Sequence, residues 1–330
     1  MSKEFGDGDL LVHLGVGENW RQRFVDTHAA HERPHGQMKL LCSNLLGLAL
    51  VEQQMNDQND GRSIQLVVAG ASPGTHMLVL LKHIGKWREA RGVRIHLYDT
   101  QPLDADLQAI VEQDKSMYFY PRYFTDKDAQ RWSNSNDCVV FFSDIRGEIH
   151  GKKEHMHTDE VQIAADMQAQ KTWVEIMRPD YCMLKFHAPH ATKDQKQVQK
   201  SVRYLKGDFY EQAYVGRFSA EYRLFCTRED IQATDMQYET KEIESHAFFH
   251  TRRTRPSTFT VNNKHMRYDD AFAAHVAHKA QRLLRIDAQQ LLRDAYKDLH
   301  VAPMQFPWPH QGMSRTQALY LRIQQIAQIL

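Results

Sequence analysis

The amino-acid sequence predicts a single α/β domain with a mostly parallel sheet, helices on both sheet faces and an extension at each end. Three observations predict it. From about residue 36 helical and strand-like segments alternate, which is the pattern of strands joined by covering helices. A glycine-containing turn joins the first strand directly to a helix, and the other chemically distinctive residues fall at the carboxyl ends of strands, where open α/β sheets bind their ligands. At 330 residues, with 42% hydrophobic and 25% charged, the chain can bury a large core and is neither a disordered nor a fibrous sequence.

Residues 37–54 carry apolar side chains at helical spacing, and Asn59, Asp60 and Gly61 then supply a turn. The first strand is predicted at 63–69 and a helix at 75–90. Further strands are predicted at 94–100, 117–124, 137–144, 181–188 and 221–228, each rich in β-branched or aromatic residues. Helices are expected at 158–178 and 194–205. Residues 1–35 read as a polar, irregular arm, and residues 36–250 as the body of the domain. Residues 251–330 read as a helical extension, with segments at 271–285 and 287–300, a proline-rich break at 303–309 and a last helix from Ser314. No stretch has the composition of a linker between independent domains.

Several classes are excluded. The most apolar run, residues 40–51, is broken by Ser43 and Asn44 and is too short to span a bilayer. The first ten residues are acidic where a secretion signal would be basic, so a cytoplasmic protein is expected. A net charge of +1 provides no long-range field, and any nucleic-acid binding must come from a local patch. Cys42, Cys138, Cys182 and Cys226 lack the close pairing of a zinc or redox motif, so free buried thiols are expected. His150, His155 and His157 invite a metal reading, but their lysine-rich surroundings favour a solvated loop, and no metal is expected.

The first strand ends in Ala69-Gly70-Ala71-Ser72-Pro73-Gly74-Thr75-His76. Such a turn admits a ligand close to the backbone, and free N–H groups at a helix start favour a carboxylate or phosphate. The spacing is not the dinucleotide signature, so a small amino-acid-like group is the better fit. Asp99 ends the second strand, where a carboxylate can accept from both ribose hydroxyls of an adenosine. Turn, helix and Asp99 together point to S-adenosyl-L-methionine. Asp144 closes an apolar strand, Lys185 interrupts another, Glu221 opens a third, and Lys39 lies on a helical face beside Leu40 and Leu41. Each alone could be a half-buried residue held by a salt bridge, but a lysine inside a buried strand needs a compensating partner.

In order and spacing, G36-Q37-M38-K39-L40-L41, G70-A71-S72-P73-G74-T75-H76, S143-D144-I145-R146, L184-K185-F186 and S219-A220-E221-Y222-R223-L224 resemble the poxvirus-type cap-specific mRNA nucleoside 2′-O-methyltransferase family. The resemblance covers roughly residues 18–250. It implies a Rossmann-like S-adenosylmethionine-dependent methyltransferase fold and a transfer to the ribose 2′-hydroxyl of the first transcribed nucleotide. It also implies a second role as regulatory small subunit of a viral poly(A) polymerase, with a polymerase catalytic subunit as partner. Lys39, Asp144, Lys185 and Glu221 carry over as the catalytic tetrad. Gln37, Ala69, Gly70, Ser72, Pro73, Gly74, Thr75, His76, Asp99, Arg122, Tyr123, Phe124, Asp144 and Ile145 match the cofactor site. Lys185 is expected to act on the hydroxyl either as a neutral base or as a cation steering the oxygen, with Lys39 lowering its pKa and the two acids orienting both lysines.

For capped mRNA, the resemblance implies that Trp20 and His190 stack on 7-methylguanine and that Glu244 reads its N–H edge. His190 departs from the aromatic usual there, and Thr192 stands where the family has a second carboxylate. Arg146, Lys193, Lys196, Lys200 and Arg203 form a basic strip expected to contact RNA phosphates. Two other readings compete with the cap enzyme: a non-catalytic RNA-binding subunit of a polymerase, and a methyltransferase of other RNA. The chain looks like one from a large DNA virus, which implies a viral factory or virion; trypanosomatid enzymes resemble the same family and would imply a nuclear site.

Overall fold

The computed structural model describes residues 3–12, 35–145, 160–187, 200–216, 219, 221–250, 254–261, 263–299 and 301. The chain begins with a short strand β1 (Lys3–Glu4) and the long helix α1 (Gly36–Asp57). It continues through β2 (Ile64–Ala69), α2 (Thr75–His83), α3 (Gly85–Ala90), β3 (Arg94–Tyr98), α4 (Ala105–Gln113), β4 (Met117–Tyr120), α5 (Asp126–Trp132), β5 (Cys138–Ser143), α6 (Glu160–Met177) and β6 (Tyr181–His187). Next come β7 (Ser201–Tyr204), β8 (Asp208–Tyr210), β9 (Glu221–Thr227), α7 (Arg228–Gln232), β10 (Met236–Glu239) and α8 (Thr240–Phe249). A hairpin of β11 (Thr258–Val261) and β12 (Lys264–Arg267) leads into α9 (Tyr268–Leu284) and α10 (Ala288–Asp298).

Seven strands form the central sheet in the order β4-β3-β2-β5-β6-β9-β8. The first five are parallel, and β9 runs antiparallel to both β6 and β8. This is the Rossmann-like arrangement the sequence predicts. Strand order reverses at β2, which lies between β3 and β5, so the crevice opens where Ala69 pairs with Ser143.

Successive strand residues face opposite sides, and both sides are apolar. Leu66, Val68, Val140, Phe142, Met183 and Phe225 join one core with α1, α2, α9 and α10. Val67, Phe141, Cys182, Leu184, Phe186 and Leu224 join another with α5, α6 and α8. Helix α1 presses hard on the sheet, since a Cβ on Gly47 would come within 2.6 Å of Phe142 Cζ. All four cysteines are free and buried. No described helix is long and apolar enough to cross a membrane.

Several sequence expectations need correction. The helix predicted at 75–90 is two helices broken at Ile84, where Gly85 is a poor helix former. The strand predicted at 117–124 stops at Tyr120 because Pro121 has no N–H to continue the ladder. Residues 201–204 of the helix expected at 194–205 are strand β7, paired antiparallel to β10, and the rest of that helix lies outside the described residues. Residues 3–12 are ordered into the fold: β1 pairs with β11, Leu11 bridges Tyr210, and Phe5 and Leu10 are buried in the α1 and α9 core. His150, His155, His157 and everything from residue 302 onward lie outside the described residues.

Candidate active site

The two-residue period of the strands puts four ionisable side chains on one face. On β6, Tyr181, Met183 and Lys185 face α1; on β5, Val140 and Phe142 do so, and the next residue in phase is Asp144. Because β9 is antiparallel, its first residues lie beside the carboxyl end of β6, with Glu221 opposite His187 and Arg223 opposite Lys185. Lys39, in the first turn of α1, reaches the same spot. The structure therefore brings Lys39, Asp144, Lys185 and Glu221 together at the carboxyl edge of the sheet.

Lys185 Nζ lies 3.1 Å from Asp144 Oδ1 and 3.6 Å from Glu221 Oε2. Lys39 Nζ lies 2.8 Å from Glu221 Oε1 and 4.0 Å from Asp144 Oδ1. A fifth member completes the cluster. Arg223 Nη2 donates to Asp144 Oδ1 at 2.5 Å, and its Nη1 donates to the Ser143 carbonyl. Three cations thus surround two carboxylates. Burial alone would raise both acids, but it is outweighed by the neighbouring cations. Lys185, Arg223 and Lys39 hold Asp144 well below the usual carboxylate range, and Lys185 and Lys39 do the same for Glu221. The peptide of Lys185 is fixed as well. β5 ends at Ser143, so no strand meets that edge of Lys185, and the buried amide of Gln170 on α6 bonds both its N–H and its carbonyl.

Gly70, the first residue of the turn after β2, has φ of +83°, and a Cβ there would lie 2.9 Å from the backbone of Asp144. Only glycine lets the two strand ends close so tightly. The free N–H groups expected at this turn are largely taken. Those of Gly70 and Ala71 point to the Tyr98 carbonyl, that of Ser72 donates to Asp99 Oδ2 at 2.9 Å, and that of His76 donates to Gln37 Oε1. Gln37 Oε1 also accepts from the Thr75 hydroxyl and from His76 Nδ1, which leaves His76 Nε2 to accept from Asn44. This tautomer fits a ring whose pKa burial lowers to about 4. Asp99 is partly exposed at the end of β3, and each oxygen accepts one backbone N–H, from Ser72 and Gln101, so lone pairs remain for further donors. An adenosyl cofactor fits this set: a turn that a Cβ would obstruct, and a carboxylate with spare acceptors beside it.

Arg122 forms a bidentate pair with Asp128 and lies over the Tyr98 and Tyr120 rings. Phe124 is a core residue packed edge-on to Tyr98 and Trp173, Tyr123 is 64% exposed, and Ile145 packs against the same core. Glu244 lies half-buried on α8. Of the expected RNA strip, Lys200 and Arg203 are described; Arg203 is exposed but has Asp235 at 3.6 Å, and Lys206 has Asp230 at 3.4 Å, so acids temper the positive field there. Trp20, Arg146, His190, Thr192, Lys193 and Lys196 lie outside the described residues. Among the described residues no group of three or more His, Cys, Asp or Glu is placed to hold a metal ion. Sequence reasoning passed over Arg223, although a charge inside the apolar strand YRLFC carries the same signal that singled out Lys185.

A family model described as Poly A polymerase regulatory subunit matches residues 18–282. The match runs past residue 250 into α9. No curated protein matches the chain.

Proposed function

This chain belongs to the poly(A) polymerase regulatory subunit family, and we propose that it is an S-adenosylmethionine-dependent methyltransferase acting on the ribose 2′-hydroxyl of the first transcribed nucleotide of capped mRNA. The observation that carries the reading is Lys185 Nζ, buried between Asp144 and Glu221 at the crevice beside the Gly70 turn. A ribose hydroxyl is a weak nucleophile and must be aligned and relieved of its proton. When bound, the cofactor supplies an electrophilic sulfonium methyl group.

Lys185 holds the 2′-oxygen or takes its proton, and the two carboxylates restrict where its Nζ sits. Lys39 and Arg223 each anchor one of those carboxylates, at 2.8 and 2.5 Å. Alignment of this kind supplies much of the rate in a displacement that needs only a near-attack geometry. Asp99 would accept from the ribose hydroxyls of the cofactor. Gln37, whose Nε2 has no acceptor among the described residues, would donate to its carboxylate. Trp20, His190 and Glu244 would read the methylated guanine of the cap, and Lys200 and Arg203 would meet RNA phosphates.

Family membership favours a second and compatible role, as partner of a poly(A) polymerase catalytic subunit. The experiment offers short RNA bearing a 7-methylguanosine cap or a bare 5′-triphosphate, with labelled S-adenosylmethionine and identification of the modified nucleotide. Methylation of the first nucleotide of capped RNA only is the expected result. Equal transfer to both RNAs would assign a different RNA substrate, and no transfer with retained RNA binding would leave the polymerase role.

A further inference from the structure

Glu221 and Arg223 are two residues apart on one face of β9, close enough for a glutamate and an arginine to pair directly. They do not pair. Glu221 goes to the two lysines and Arg223 goes to Asp144. Between them lies Gln212, 1% exposed, whose Oε1 accepts from Arg223 Nε at 2.8 Å. Its Nε2 donates to the Glu221 carbonyl at 2.8 Å and to Glu221 Oε1 at 3.2 Å. The amide has one workable orientation, since turning it over would set donor against donor at Arg223 and acceptor against acceptor at Glu221.

We propose that Gln212 is a positioning residue of the reactive cluster, holding Glu221 and Arg223 apart so that each keeps the partner that Lys185 and Asp144 require. The inference rests on the methyltransferase reading. Without the amide, Arg223 Nε would be buried without an acceptor, and the Glu221 carboxylate, two residues away on the same face of β9, would take it. That collapse would draw Glu221 from the lysines and release Asp144.

The loop that carries Gln212 is fixed from outside the sheet. Glu211 N–H donates to the Leu10 carbonyl, and His35 N–H donates to the carbonyl of Tyr214. The Tyr214 hydroxyl joins Tyr296 of α10 and Asp270 of α9. Arg255, paired with Asp269, donates to the Gly216 carbonyl. The amino-terminal segment around Leu10 and the carboxyl-terminal helices thereby reach the cluster through one side chain.

The test uses two variants of the full chain. A protonated carboxylic acid keeps the acceptor for Arg223 Nε and one of the two donors the amide gives Glu221, while a carboxylate keeps the acceptor and gives Glu221 neither. Gln212→Glu should therefore have reduced kcat at pH 9 and regain it as pH falls, its ratio to wild type rising at least 5-fold by pH 6.5. Gln212→Met should lose about 10- to 100-fold in kcat at every pH, with S-adenosylmethionine Kd by calorimetry within about 2-fold. Wild-type kcat in the Met variant, or a flat ratio for the Glu variant, overturns the proposal.

A second measurement is independent of turnover. In Gln212→Met, or in Gln212→Leu should the Met variant not fold, the Arg223 Nε–H resonance should move downfield as the Glu221 carboxylate replaces the amide oxygen as its acceptor. An unmoved resonance likewise overturns the proposal. A wild-type chain that methylates neither RNA refutes the methyltransferase reading instead, and the Arg223 Nε–H resonance then decides the clamp by itself.

Discussion

Replacing Glu211 with Gln should stabilise the protein, by an amount that grows with pH. Glu211 is buried between β8 and α8, with Oε1 3.3 Å from Nδ1 of both His246 and His250. Burial drives its carboxyl up to about 8, against the pull of Arg255 and the Gln212 N–H. Burial also pushes His250 well down, so that ring is neutral and does not rescue a carboxylate. A carboxyl whose folded pKa is raised favours folding while protonated, below its unfolded value of about 4.3, and that contribution is lost as pH rises toward 8. Each pH unit in this window costs the wild type about 1.4 kcal/mol that the Gln variant does not lose. Between pH 5.5 and 8.5 the stability difference should therefore widen by about 3 kcal/mol. His250 has the opposite slope below about pH 6.5, but it is common to both proteins and drops out of the comparison. Urea unfolding of the pair at pH 5.5, 7 and 8.5 measures the effect. A difference that stays constant with pH would refute the claim that Glu211 is held protonated.

Lys185→Ala should abolish methyl transfer while leaving S-adenosylmethionine binding within a few-fold. Its stability cost should be only about 1 to 2 kcal/mol, rather than the 3 to 5 usual for breaking a buried pair, because Arg223 and Lys39 still hold Asp144 and Glu221; labelled-methyl transfer and thermal unfolding check both. Asp99→Ala should weaken S-adenosylmethionine by roughly 1 to 3 kcal/mol in calorimetry, partly by releasing the Ser72 N–H that shapes the turn. Gly47→Ala should destabilise the fold by about 1 to 3 kcal/mol in urea titration without changing cofactor affinity, since the new methyl group would meet Phe142 on the core side of the sheet.

The parallel sheet was legible because its strands are apolar runs whose ends are marked by turn residues, and the reading located β2, β3, β5, β6 and β9 within a residue or two at nearly every end. The short elements were not. α4 and α5 are amphipathic helices of nine and seven residues, too brief for a periodic signal, and their start is visible only in the caps at Asp104 and Thr125. β7 reads as helix because Lys196, Lys200 and Arg203 recur at helical spacing, whereas the alternation of Val202 and Tyr204 with Arg203 is a strand signal only once β10 is there to pair with it.

The same distinction governs the reactive cluster. Lys185 and Asp144 betray themselves by interrupting or closing apolar strands, so their burial and their need for partners follow from sequence. Which partner each takes does not. That depends on β9 running antiparallel, which brings Glu221 and Arg223 to the carboxyl edge from the opposite direction, and on the loop that sets Gln212 between them. Gln212 carries no charge and interrupts no strand, so it gives no signal of its own. Its position comes from residues tens to hundreds of positions away, among them Leu10, Asp270 and Tyr296, whose own roles are visible only after the chain has folded. Sequence chemistry identifies the groups that must be compensated, and tertiary structure decides among the ways three cations can share two carboxylates.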